Sequence, residues 1–282
     1  MLASTIVYAG IFLAVAGLAL VVKPLPRLGI ATRLRESIVM VVGIALVVIG
    51  LLAPTRESRV SRPTTRLDQF TPSWHFREIH TIRVAAPPDR VFAAIKEVRA
   101  HEIFLFRALT WIRRGGQPLP ESILNAGDRD PLIDVALRGG FVRLAEDAPR
   151  ELVIGTAVHT PPGARDTLTP QLFLRPPAGY ALAAMNFLVT ADGPNASIVT
   201  TETRVFANGR STRRRFAAYW RVIYPGSAII RRMWLRAILV RASSALSRSF
   251  PSRNPHRPGT LIAASDSRHS CMEHTCILNS RA

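Results

Sequence analysis

The sequence predicts an α+β fold: a curved antiparallel sheet wrapped around a long carboxy-terminal helix, preceded by a two-helix transmembrane hairpin. Three observations carry that expectation. Two uncharged apolar stretches open the chain, period-two segments follow as successive hairpins, and a long helical pattern comes after the last strand. Hydrophobic residues make up 48% of the 282-residue chain and charged residues 20%, which excludes disorder of the whole chain. With 17 Gly and 2 Cys, collagen-like and disulfide-scaffold classes are excluded as well. The mean hydropathy of +0.17 points to a membrane segment. The net charge of +18 comes almost entirely from Arg, since Lys23 and Lys96 are the only lysines. An Arg bias beside abundant Ala often reflects base composition, so the charge alone does not indicate nucleic acid.

Residues 4–22 and 37–54 contain no charged side chain. A bilayer core takes roughly 20 apolar residues in a helix, with about 17 as the lower limit. Gly10, Gly17, Gly43 and Gly50 suit close packing between membrane helices. The gap between the stretches is short and basic (Lys23, Arg27, Arg33, Arg35), so residues 1–54 read as a hairpin of two spans in the cell membrane. A signal peptide is the alternative. It carries its positive charge ahead of the apolar run, whereas the first charged side chain here is Lys23, behind it. The basic hairpin loop favours the cytoplasm, while Arg56, Arg59, Arg62 and Arg66 pull the other way. The balance leans slightly toward an extracytoplasmic domain.

Residues 55–73 are polar, basic and broken by Pro63, and read as a linker. The domain itself is expected over 74–248. Its first strand, HFREIHTIRVAA, places Phe76, Glu78, His80, Ile82 and Val84 on one face. Pro87 and Pro88 end it, and Asp89 is placed to cap a helix that buries Val91, Phe92, Ile95 and Val98. A second helix, IFLFRALTWIRR, stops at Gly115 and Gly116. FVRLAED and ELVIGTAV then flank a turn containing Pro149. YALAAMNFLVT and ASIVTTETRVFA are joined through Asp192, Gly193, Pro194 and Asn195. A helical pattern covers 211–247, with a kink or break expected at Pro225 and Gly226. Residues 249–282 lack periodicity and read as a disordered tail.

The run VAAPPDRVFAAI resembles the strand-to-helix opening of the START-like, or SRPBCC, superfamily, which groups polyketide cyclases and dehydratases with lipid-transport proteins. The segments GFVRLAEDAPRELVIG and TETRVFANGRSTRRRFAAYWRVIYPGSAIIRRMWLRAI resemble bacterial members of it. The resemblance spans roughly residues 76–247 and implies a helix-grip fold with a deep cavity for a lipid, a polyketide-like molecule or another apolar ligand. It implies no reaction, because members include carriers, cyclases, hydroxylase subunits and stress proteins. The membrane hairpin departs from the commonest, soluble members.

Several side chains are candidates for the site. Glu78 and His80 share the face of Ile82 and Val84. Turned toward a cavity they could orient a polar head or move a proton; turned outward they are ordinary surface groups. Glu202 and Arg204 share a face with Ile198 and Phe206, and either present a charge to the pocket or form a structural ion pair. Trp220 stands on the helix the sheet is expected to grip. Arg213, Arg214, Arg215, Arg221, Arg231, Arg232, Arg236 and Arg241 make that helix basic, with no acidic residue in it. Contact with an anionic membrane surface, at about 1 kcal/mol per Arg, is favoured over stacking of nucleic acid on Tyr219 and Trp220.

In the tail, His269, Cys271, His274 and Cys276 carry ligand types at a spacing that matches no familiar zinc module, so no metal and no cofactor is expected. No Walker loop, GxGxxG, GxSxG or HExxH is present. The favoured reading is a membrane-anchored binding module that holds a lipid or other hydrophobic small molecule, with Glu78, His80, Glu202, Arg204 and Trp220 as ligand-binding candidates. One alternative is a cyclase- or dehydratase-type enzyme with His80 and Glu78 or Glu202 as acid and base. The other is an interaction domain without a cavity.

Overall fold

The computed structural model describes residues 2–22, 33–164 and 167–249. The tail with its His/Cys group, and the basic loop from Lys23, lie outside the described residues. Helices α1 (Leu2–Val22) and α2 (Arg33–Leu52) run antiparallel along a glycine seam. A Cβ on Gly17 would stand 2.5 Å from the Met40 nitrogen, and one on Gly10 would stand 2.7 Å from the Gly43 oxygen. The backbones touch there, and only glycine fits. The outward faces are apolar, with Ile11, Phe12, Val15 and Leu18 exposed on α1 and Val41, Ile44, Val48 and Ile49 exposed on α2. Helix α1 is long and apolar enough to cross a membrane, whereas the apolar part of the second, Ser37–Leu52, is shorter. It stops at Leu52 because Ala53 precedes Pro54, whose ring disfavours helical backbone in the residue before it.

The expected linker is folded. Strands β1 (Ser58–Arg59) and β2 (Ser73–Trp74) pair, and between them lies α3 (Arg66–Phe70). Thr65 and Asp68 form a reciprocal capping box at the start of α3, and Leu67 is fully buried against the sheet behind it.

That sheet has five antiparallel strands: β3 (Phe76–Val84), β4 (Phe141–Asp147), β5 (Glu151–His159), β6 (Ala181–Ala191) and β7 (Ser197–Ala207), in the order β3-β7-β6-β5-β4. Between β3 and β4 come α4 (Pro88–Glu97), α5 (Phe106–Arg113) and α6 (Leu132–Arg138). Asp89 lies inside the first turn of α4 rather than capping it. Pro87 holds the cap position without a side-chain bond, and Pro88 begins the helix, where its missing N–H is no loss. Helix α5 starts three residues later than expected because Leu105 sits at φ +61, outside helical backbone. Helix α7 (Pro170–Leu174) precedes β6, and α8 (Arg210–Ser249) closes the domain.

Helix α8 runs unbroken through Pro225, so the expected division into two helices does not occur. Pro225 leaves the Arg221 carbonyl without its usual donor. Neighbouring bonds to the hairpin hold this stretch instead. Tyr8 donates to the Val222 carbonyl, and the Arg221 guanidinium donates to the carbonyls of Leu51 and Ala53, capping α2. The α+β arrangement, five antiparallel strands with a long carboxy-terminal helix, is consistent with a helix-grip fold.

On the concave side, α8 packs at its ends. Trp234, Leu235 and Ile238 join Val91 and Ile95 of α4 over Leu152 and Phe187. Phe216 and Ala217 join Phe76, Ala181 and Val205 at the other end. On the convex side, Leu67 and Phe173 from α3 and α7 cover Val153, Leu182 and Ala184.

Candidate ligand cavity

Between the two concave clusters the interior is unfilled. Phe216, Trp220, Ile223, Ser227, Ile230, Arg231 and Trp234 recur at helical spacing and form one wall of a cavity of about 350 Å³. The opposite wall is the sheet, where Thr156, Ala183, Met185, Thr203 and Val205 point inward. Most of these side chains are short, so β5, β6 and β7 stand off the middle of α8, while β3 still touches it. Phe106, Thr110 and Arg113 of α5, with Ser122, Ile123 and Leu124, complete the lining. The volume falls within the range of small-molecule sites. A roomier groove of about 550 Å³ between α4 and β4 is shallow, and charged groups such as Lys96, Glu97 and Glu146 stand along it, so it offers an apolar guest little burial.

The charge of the cavity wall is one-sided. Arg113 and Arg231 line it, and no carboxylate does. Arg113 donates from Nε to the Tyr219 hydroxyl at 2.8 Å. Arg231 is half-buried, its Nη1 is fully enclosed, and that nitrogen has no hydrogen-bond partner. The indole Nε1 of Trp234 is buried and equally unpartnered, and the Arg231 Cζ lies 5.7 Å from the Trp234 ring centroid. Burial lowers the Arg231 pKa to about 10; the Glu78 charge opposes that fall and Arg113 adds to it. The group is still cationic at neutral pH.

Of the residues singled out in the sequence, Trp220 lines the cavity, stacked among Phe76, Phe216 and Tyr224 at centroid distances of 5.8, 5.9 and 5.9 Å. Glu78 and His80 share a face, as the alternation in β3 predicts; that face is the concave one, and they touch: His80 Nε2 and Glu78 Oε1 are 2.9 Å apart. The other Glu78 oxygen accepts from the Ser227 hydroxyl at 2.8 Å. Glu78 is only 2% exposed, and neither residue is part of the cavity lining. The reason is that β3 packs directly on α8, with Ser227 between Glu78 and the cavity, while the open space lies over β7, β6 and β5.

Glu202 and Arg204 are on the other side of the sheet. Thr203 and Val205 point into the cavity, so their neighbours in β7 point to the convex face. There Arg204 donates to Glu202 at 2.6 Å, to Asp68 at 2.7 Å and to the Thr71 carbonyl at 3.1 Å, with its Cζ 4.3 Å from the Trp74 ring centroid. Arg77 reaches the same Glu202 oxygen at 2.6 Å. Burial would raise the Asp68 carboxyl, but hydrogen bonds from the Thr64 amide, Arg204 and Thr65 outweigh it and hold the pKa at about 2. Glu151 completes this face, accepting from the amides of Arg66 and Leu67 at 2.7 and 3.2 Å and from Asn186 at 2.6 Å. These groups fasten the 58–74 segment to the sheet and do not line the concave cavity.

The basic residues of α8 divide by role. Arg221 caps α2, and Arg241 pairs with Glu102 at 2.6 Å and Glu97 at 3.2 Å. Arg214, Arg215, Arg232 and Arg236 are exposed. Phe104, Leu105, Trp111 and Ile112 of the α5 region are exposed, as are Tyr219 and Val222 of α8. Among the described residues no group of His, Cys, Asp or Glu is arranged to hold a metal. The sequence reading passed over Arg231 and Trp234 as a pair. The available signal was an Arg three residues before a Trp within the apolar stripe of α8.

No protein-family model matches the chain, and no curated protein matches it. Among solved structures, the Thermus thermophilus protein TTHA0849 aligns over 60% of this chain and 99% of its own, at 8% identity and a TM-score of 0.27. CalU16 from Micromonospora echinospora aligns over 69% and 96%, at 14% identity and a TM-score of 0.25. The Zhui aromatase/cyclase from Streptomyces sp. R1128 aligns over 63% and 98%, at 14% identity and a TM-score of 0.24. Likeness at this level does not bear on function, which rests on the cavity itself.

Proposed function

We propose that the chain is a membrane-anchored binding module that holds a lipid or other apolar small molecule between its sheet and α8. One observation carries this reading: the middle of the domain encloses an unfilled cavity of about 350 Å³ with largely apolar walls. Moving apolar surface from water into such a space yields roughly 25 cal/mol per Å². The anchor is the α1–α2 hairpin, whose exposed apolar flanks and glycine seam suit lipid better than water. With the hairpin inserted, Trp111 and Ile112 of α5 rest at the bilayer interface, and the exposed Arg residues of α8 face anionic headgroups. Holding is preferred to acid–base catalysis because Glu78 and His80 stand behind Ser227, off the cavity wall.

The test compares the native full-length protein, purified in detergent, with Ala183→Phe, which fills the cavity from the sheet side. Organic extraction and mass spectrometry are expected to recover an apolar molecule in stoichiometric amount from the native protein and far less from the variant. Equal recovery from both, or none from the native protein together with no lipid-induced change in melting, would remove the reading.

A further inference from the structure

The cavity is specific about charge. We infer that its guest is an amphiphile with one acidic head, a carboxylate or phosphate monoester, whose oxygens are bound by Arg231 and Trp234 while its tail lies against the apolar walls. This rests on the reading that the cavity holds a small molecule, and adds the chemical class.

Two donors in the cavity wall lack an acceptor. Arg231 Nη1 and Trp234 Nε1 are both enclosed, both unpartnered and both on residues that line the cavity. A buried N–H without an acceptor is costly, so proteins rarely leave one, and two side by side call for a common partner. The chain does not supply it. Arg113 is the other charged residue of the wall, and like Arg231 it is a cation. Glu78 lies nearby, but its two oxygens are engaged by Ser227 and His80.

A neutral ligand would leave the enclosed guanidinium N–H unpaired in a low-dielectric space, where the only nearby negative charge among the described residues is Glu78, already hydrogen-bonded to Ser227 and His80. An acid group answers both donors together. The planar guanidinium presents N–H groups in the geometry that carboxylate and phosphate oxygens accept, and the indole N–H, one helical turn along, adds a further bond. The rest of the wall suits a tail: Met185, Phe216, Ile223 and Ile230 offer no charge.

The experiment uses the full-length protein in nanodiscs of phosphatidylcholine, stripped of endogenous ligand and titrated with cis-parinaric acid and, separately, its methyl ester. The acid is expected to bind at least tenfold more tightly than the ester. Arg231→Met should weaken the acid at least tenfold while the ester binds at least as tightly as to the native protein, which also reports that the variant is folded. Trp234→Phe should weaken the acid a few-fold. Competition then separates the sources. Displacement of the probe by oleate and not lysophosphatidic acid assigns a carboxylate, the reverse assigns a phosphate, and either supports the inference. Equal binding of acid and ester, or an Arg231→Met variant that binds the acid as the native protein does, overturns acid recognition and leaves the binding module standing. Binding of neither probe to the native protein overturns the module as well.

Discussion

The two faces of the sheet bury charge in opposite ways. On the convex face, Asp68, Arg204, Glu202, Arg77 and Glu151 bond to one another or to backbone amides of the 58–74 segment. On the concave face, Glu78 is satisfied by Ser227 and His80, while Arg231 and Trp234 each keep an enclosed N–H with no acceptor. Burial therefore does not by itself mark a functional charge. What distinguishes the faces is that the convex charges are answered by the chain itself, whereas two enclosed donors on the concave face are not.

The largest expected effect tests the closed network. Arg204→Met removes the cation paired with Asp68, leaving that carboxylate only its Thr64 and Thr65 bonds, and one of the two Arg partners of Glu202, and should destabilise the protein by about 3–5 kcal/mol in chemical denaturation. A loss below about 1 kcal/mol would show that the network is not what fastens the segment to the sheet.

The next is a pH effect of the same network. Asp68 titrates at about 2 when folded against 3.8 when free, so its contribution is present above pH 3.8 and disappears as pH falls toward 2. That contribution is about 2 kcal/mol. Stability measured over this range should fall in the native protein, and Asp68→Asn should lack that part of the fall.

Smaller, and opposite in sign, is the concave face. Arg231→Met removes a half-buried cation with an enclosed, unpaired N–H and should raise the stability of the ligand-free protein by about 1 kcal/mol, read as a higher melting temperature. A fall of similar size would place Arg231 with the structural charges of the convex face. The smallest expected change is His80→Gln, which weakens one bond to Glu78 and should cost roughly 1 kcal/mol or less in melting experiments. An effect on ligand turnover far exceeding that loss would return the Glu78–His80 pair to the acid–base reading.

Much of the architecture is legible in the sequence because it is encoded by near neighbours. Alternation places Glu78 and His80 with Phe76 and Val84, and Glu202 with Arg204. Proline, glycine and asparagine mark the hairpins, and the glycines of the first two helices mark their seam. The capping pair Thr65 and Asp68 stands in the sequence too, but Pro63 and the polar, basic composition around it read as a linker, and the folded turn emerges only in the structure.

Which face of β7 meets α8 was not legible. Both faces are covered, one by α8 and the other by the 58–74 segment and α7, so nearly every residue of the strand is protected and no contrast between wet and dry sides remains to be read. The partners of the charges are likewise distant in the chain, Asp68 for Arg204 and Leu51 for Arg221. The sequence by itself determined the main strands and helices, which residues share a face and where the hairpins turn, since these follow from local periodicity and turn chemistry. The tertiary structure alone decided which charges are answered and how much space stays open beneath α8, because both depend on how far apart helix and sheet come to rest once their ends are packed.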